Sequence, residues 1–83
     1  MPLLSIIIPS RTVDAPDLQR LQASLSHQSF QDFEVLVETS GNSEEAKAIA
    51  AQRASGEILA FFCADNDLQD RDFLRTMVWY ARL

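Results

Sequence analysis

Gly56-Glu57-Ile58-Leu59-Ala60-Phe61-Phe62-Cys63-Ala64-Asp65-Asn66-Asp67 is the stretch on which the fold turns. From Ile58 to Ala64 no residue is charged, and the run then ends on two carboxylates. A run this short and apolar, opened by a glycine and closed by acids, has the length of a strand buried on both faces and is short for a helix. Such strands belong to parallel α/β sheets, where ligands gather beyond the carboxyl ends. The expectation is a strand over 58–64 that delivers Asp65 and Asp67 to a binding edge.

Upstream, Leu3-Leu4-Ser5-Ile6-Ile7-Ile8-Pro9 has the same chemistry, β-branched and uncharged, and predicts a strand over 3–8 that Pro9 ends because it cannot donate to a ladder. A polar loop over 10–15 leads to Asp14-Ala15-Pro16-Asp17, which combines a capping side chain, a proline in the first turn and an early acid. Leu18, Leu21 and Leu25 then form an apolar stripe at helical spacing, ending near His27. Phe33-Glu34-Val35-Leu36-Val37-Glu38 predicts a second strand, and Thr39-Ser40-Gly41-Asn42 a loop. Asn42-Ser43-Glu44-Glu45 opens a second helix, with Ala46, Ile49, Ala50 and Ala54 as its buried face and Gly56 as a left-handed C-terminal cap. A third helix starts at Asp70 or Arg71 and repeats Phe73, Leu74, Met77, Val78 and Ala81, its pattern still running at Leu83.

The order β-α-β-α-β-α over 1–83 predicts one α/β unit: a three-stranded parallel sheet with helices on both faces, most simply in the order 3-2-1. That order puts strand one at an edge although it is among the most apolar strands, and soluble proteins avoid such edges. The expectation is that it is covered, by further sheet of a longer parent protein or by a second copy in a homodimer. Met77, Trp79 and Tyr80 form a C-terminal apolar patch, a second surface for self-association.

A domain of 83 residues buries only roughly 60% of the surface its unfolded chain exposes, so the core is thin. With 47% hydrophobic and 23% charged residues the composition is globular. A net charge of −5, with Lys and Arg scattered singly, gives no basic face and excludes nucleic acid as the main partner. An anionic small ligand would need a cation to offset Asp65 and its neighbours, and a divalent metal is the economical one. The single cysteine, Cys63, has no partner for an internal disulfide, and no basic leader or membrane-spanning apolar run is present. These features predict a cytoplasmic setting.

The residues Ser5-Ile6-Ile7-Ile8-Pro9-Ser10, Ser24-Leu25-Ser26-His27-Gln28-Ser29-Phe30, Asp32-Phe33-Glu34-Val35-Leu36-Val37 leading to Gly41, and Ala54-Ser55-Gly56-Glu57-Ile58-Leu59-Ala60-Phe61-Phe62 leading to Asp65 occur in that order. Together they resemble the N-terminal, nucleotide-binding half of the family-two glycosyltransferases, inverting enzymes of the GT-A, Rossmann-like fold. The resemblance implies that Pro9, Ser10 and Arg11 line a base pocket, that an acid at the end of strand two holds the base, and that an Asp-x-Asp after strand three holds ribose and a metal-bound diphosphate. Thr39 and Ser40 occupy the usual acidic positions after strand two, with Glu38 one step earlier as the substitute. Two registers fit the third motif: Cys63-Ala64-Asp65 and Asp65-Asn66-Asp67. The second keeps both acids, and two carboxylates with an amide are oxygen donors suited to Mg²⁺ or Mn²⁺. On this reading the base and ribose of the nucleotide sugar meet Pro9, Ser10, Arg11, Glu38, Thr39 and Asp65, and the metal meets Asp65 and Asp67. The family's catalytic base and acceptor site lie in a second half that this chain does not contain, so turnover by it alone is not expected.

Competing readings are weaker for Asp65 and Asp67. A calcium loop counted from Asp65 has Asp70 in place of the turn glycine and Thr76 in place of the closing acid. A dinucleotide fold would need a Gly-x-Gly-x-x-Gly after strand one, and none is there. Asp70 and Asp72 read as first-turn dipole partners, His27 as a helix-end residue and Cys63 as a small core residue. Two functions stand: a glycosyltransferase donor-binding half, and a non-catalytic association module of the same ancestry whose altered positions at Thr39 and Cys63 mark lost donor binding.

Overall fold

The computed structural model describes residues 2–10, 16–39, 43–63 and 68–83. Its elements are β1 (Leu4–Pro9), α1 (Pro16–Ser26), β2 (Phe33–Glu38), α2 (Ser43–Arg53), β3 (Ile58–Phe61) and α3 (Phe73–Ala81). The three strands form one parallel sheet in the order β2-β1-β3. The α/β class is therefore as expected, while the expected order 3-2-1 is not found. Strand one is central, and the covering or homodimer contact expected along its edge falls with that order.

The central position accounts for the composition of β1. Leu4, Ser5, Ile6, Ile7 and Ile8 are all fully buried, because the strand is flanked on both edges and covered on both faces. The chain steps from β1 to β2 in one direction and then back across β1 to β3. Right-handed crossovers in opposite directions put their helices on opposite faces. On one face Leu4, Ile6 and Ile8 pack with Leu18, Leu21 and Leu25 of α1, Leu74 and Val78 of α3, and Ala60 of β3. On the other face α2 lies on β1 and β2 through buried Ala46 and Ala50, small enough to bring the helix close to the sheet. Ile49, expected in that face, is 39% exposed.

β3 is shorter than the predicted 58–64 and is not buried on both faces. Leu59 and Phe61 are 41% and 47% exposed, because α2 covers β1 and β2 and β3 pairs with β1 alone among the described strands. Cys63, expected in the core, is exposed for the same reason: it follows an edge strand.

Gly56 is not a left-handed cap, since α2 ends at Arg53 and the glycine sits where backbone meets backbone. A Cβ there would lie 2.7 Å from both the Ser5 nitrogen and the Ser5 Oγ, and 2.9 Å from the Leu4 carbonyl carbon. The glycine lets the chain enter β3 hard against β1.

α3 is moored in an unexpected place. Its cap residue Asp72 makes no side-chain cap hydrogen bond. Instead buried Gln28, just past α1, accepts from the Leu74 N–H at 2.9 Å and donates to the Asp70 carbonyl at 2.8 Å. Beside it the Ser29 N–H donates to the Arg71 carbonyl, the Ser29 hydroxyl to the Asp72 carboxylate, and Arg75 to both Ser29 oxygens. The amino end of α3 is thus tied to the segment leading into β2, on the side of the sheet where strands begin. Trp79 and Tyr80 are exposed and in edge contact, as the predicted patch requires, but Met77 packs against the core.

Candidate functional site at the strand-end rim

Because the strands are parallel and in register, their carboxyl ends share one rim. Pro9 lies opposite Glu38, and the Ser10 N–H donates to the Glu38 carbonyl at 3.0 Å, extending the ladder one residue beyond β1. On the other side the Phe62 N–H donates to the Ile7 carbonyl at 3.0 Å, which brings Cys63 level with Pro9. Pro9, Ser10, Glu38 and Thr39 are therefore gathered at one end of the sheet. Arg11, Asp65 and Asp67 lie outside the described residues, as do Asp14, Ser40, Gly41, Asn42 and Asn66.

The strand order reverses between β1 and β3: one crossover leaves β1 toward β2, and the next lands on the far side. In open α/β sheets the crevice beyond the carboxyl ends at such a reversal is where ligands bind. Here its walls begin at Ser10 on one side and Cys63 on the other.

Among the described residues, charge at the rim is negative. α1 and α2 both follow strand carboxyl ends, and each carries acids in its first turn, Asp17 in α1 and Glu44 and Glu45 in α2. These offset the positive end of each helix dipole. Arg20 pairs with Asp17, and Lys47 with Glu44 at 3.5 Å. The amino end of α3 is held elsewhere, so its dipole offers nothing to this crevice.

Glu38 is already engaged. It is 8% exposed, its Oε2 accepts from the Arg53 guanidinium at 2.8 Å, and its Oε1 accepts from the Thr39 N–H at 3.1 Å. Oε2 holds the β2 end against the last turn of α2, and Oε1 is taken by the amide of the next residue.

A second carboxylate cluster lies at the opposite rim. Glu34 Oε2 accepts from the Ser5 hydroxyl at 2.5 Å, the Ser55 N–H at 2.7 Å and the Ser55 hydroxyl at 2.9 Å, while Ser5 Oγ accepts from the Gly56 N–H at 2.8 Å. This network ties β2, β1 and the entry to β3 together. The Ser5 hydroxyl first, then the Ser55 amide and hydroxyl, hold the Glu34 carboxyl below its ordinary value. A depressed folded value contributes stability above the ordinary glutamate range and loses it as pH falls through the folded value. Glu34→Gln is accordingly expected to lower the melting temperature near neutral pH, with the gap to the wild type closing on acidification. Thermal melts followed by circular dichroism across that window check it; a gap independent of pH would mean that the charge of Glu34 is not what matters.

Sequence reasoning missed Glu34 and Gln28 because their partners lie far along the chain. The available signal was Ser5, a lone hydroxyl in an otherwise apolar strand, since a buried hydroxyl requires a partner.

Among the described residues no cluster of three or more His, Cys, Asp or Glu side chains is placed to hold a metal, and no helix is long and apolar enough to cross a membrane. Comparison with protein-family models, with curated proteins and with solved structures finds no match to this chain.

Proposed function

We propose that this chain is the donor-binding half of a family-two-like glycosyltransferase and that it holds a nucleotide-diphosphate sugar at the crevice between the ends of β1 and β3. One observation carries the reading: the strand order reverses at this crevice, and the loops carrying the resemblance, from Ser10 and from Cys63, leave the sheet on its two sides. Ser10 and Arg11 bracket the base, and Asp65 with Asp67 supplies the oxygen donors for Mg²⁺ or Mn²⁺. Acids at both helix ends facing the rim mean that a diphosphate must bring its own positive charge, and the metal is what supplies it. In a full-length enzyme that metal would neutralise the leaving diphosphate during inverting transfer to an acceptor.

The alternative is an association module of the same ancestry. Glu38 favours it, because the acid that would read the base is committed to Arg53 and to the Thr39 amide.

Calorimetry distinguishes them. Titrating the chain with UDP-, GDP- and dTDP-sugars, each with and without Mn²⁺, is expected to give metal-dependent heat for one donor class in the wild type and none in Asp67→Ala. Silence with every donor, or heat unchanged in Asp67→Ala, removes the donor-binding reading.

A further inference from the structure

We infer that the outer face of α3 binds a single acyl chain ending in a carboxylate, with the carboxylate on Arg82. This surface is separate from the rim and does not depend on the donor-binding reading.

α3 has two faces. Leu74 and Val78 are buried in the core, while Arg75, Trp79 and Arg82 recur at helical spacing and are exposed. Together with Val78, Leu83 and Phe30, the residue after the Ser29 mooring, these three line a groove of about 400 Å³. Small-molecule sites span about 300–1,000 Å³ and share this make-up, mostly apolar side chains with a few charged ones. At the helical rise of about 1.5 Å per residue, Arg75 and Arg82 stand about 10 Å apart along the axis, so the occupant is elongated.

Charge selects what that occupant carries. From Phe73 to Leu83 the chain has two arginines and no acid, although over its whole length 12 Asp and Glu outnumber 7 Lys and Arg. The two arginines differ in their commitments. Arg75 donates to both Ser29 oxygens, and the Ser29 hydroxyl donates on to the Asp72 carboxylate, so the Arg75 charge has a counterpart nearby. Arg82 makes no ion pair among the described residues. Its guanidinium is not spent on capping either, because the Val78, Trp79 and Tyr80 carbonyls accept from backbone amides of the last turn. Arg82 is therefore the cation left for a ligand, and its planar fork suits a carboxylate. Phe30 adjoins Ser29 and so marks the Arg75 end of the groove. The acyl chain then runs from Arg82 across Trp79 and Val78 toward Phe30 and the methylene stem of Arg75. A second copy suits this face poorly, since two such faces would set arginine against arginine.

Trp79 is the one tryptophan of the chain, so its fluorescence reads occupancy of the groove. Titration with monomeric octanoate is expected to give a saturable blue shift. 1-Octanol, of the same length but uncharged, is expected to bind roughly three- to fivefold more weakly, the worth of an exposed ion pair, and octylammonium more weakly still. Arg82→Gln, at an exposed position that should leave the circular dichroism spectrum unchanged, is expected to bring octanoate down to the affinity of octanol. Lys47→Gln, a charge removed from α2, is expected to leave the difference intact. No saturable shift, equal affinity of the wild type for octanoate and octanol, or an octanoate advantage that survives in Arg82→Gln overturns the inference. So does a shift given by phosphatidylglycerol vesicles and not by octanoate, which would assign the face to a membrane surface. A dimer in sedimentation equilibrium whose Trp79 emission octanoate leaves unchanged would assign it to a second copy and overturns the inference equally.

Discussion

Gly56→Ala is expected to destabilise the fold by about 2–3 kcal/mol, since overpacking at a site that cannot relax costs roughly that much. The added methyl would meet the Ser5 backbone nitrogen and hydroxyl at 2.7 Å and the Leu4 carbonyl carbon at 2.9 Å. A side-chain tip can swing away, but two of these atoms are backbone of the central strand, buried on both faces and paired on both edges. The yielding element must be β3, and as it moves outward the Gly56 N–H loses the Ser5 hydroxyl, which also serves Glu34. The same substitution in an unstrained site would stabilise by about 0.4–1 kcal/mol through the unfolded chain, so the sign alone is informative. A chain of this length has a total stability of about 4–12 kcal/mol, and the melting temperature should fall by roughly 10–20 °C. Urea titration of Gly56→Ala, alone and with Ser5→Ala, checks the cause. Ser5→Ala removes the hydroxyl contact together with the bonds to Glu34 and Gly56, so the double variant is compared with Ser5→Ala alone: a further loss there is expected, and no further loss would show that the backbone approach is not the obstacle.

The elements themselves were legible from local pattern. β2 runs over the predicted 33–38, β1 over Leu4–Pro9 against a predicted 3–8, and the stripe Leu18, Leu21 and Leu25 is the buried face of α1. What local pattern does not encode is where the third strand lands. A chain returning from β2 can add β3 beyond β2 or pass back over β1, and both are right-handed with α2 on one face or the other. The deciding clue was in β1: an uncharged strand from Leu4 to Ile8 has the composition of a centre, so the rule against apolar edges argued for moving the strand, not for covering it. The same displacement explains why Leu59 and Phe61 are exposed. At the candidate site, the gathering of Pro9, Ser10, Glu38 and Thr39 followed from strand polarity once the sheet was parallel. The engagement of Glu38 by Arg53 did not, because it depends on the angle at which α2 returns along the sheet.

Gln28→Ala is expected to cost about 1–3 kcal/mol, because it leaves the buried Leu74 N–H without its partner, while the exposed Asp70 carbonyl keeps the Phe73 N–H. Local sequence offers Asp72 as the cap of α3, yet the Asp72 carboxylate accepts from the Ser29 hydroxyl and does not turn back to its own helix. The cap is supplied from across the domain: Gln28 Oε1 takes the Leu74 N–H, the second donor of the helix, and Gln28 Nε2 takes the Asp70 carbonyl just before it. With Gln28 only 4% exposed and Leu74 fully buried, water does not readily replace the bond to the Leu74 N–H. Leu74 is itself fully buried in the core between α1 and the sheet, so loosening the first turn of α3 withdraws apolar burial as well as hydrogen bonds. Gln28→Glu separates the two contributions: its carboxylate still accepts from Leu74 but faces the Asp70 carbonyl with no donor, and it should fall between alanine and the wild type. Hydrogen exchange supplies the local readout, with faster exchange expected at the Leu74 and Thr76 amides while the amides of β1 slow or quicken only with global stability. If Gln28→Ala unfolds within about 0.5 kcal/mol of the wild type, as an ordinary surface substitution does, α3 is held by its apolar face alone and the cross-domain cap contributes nothing.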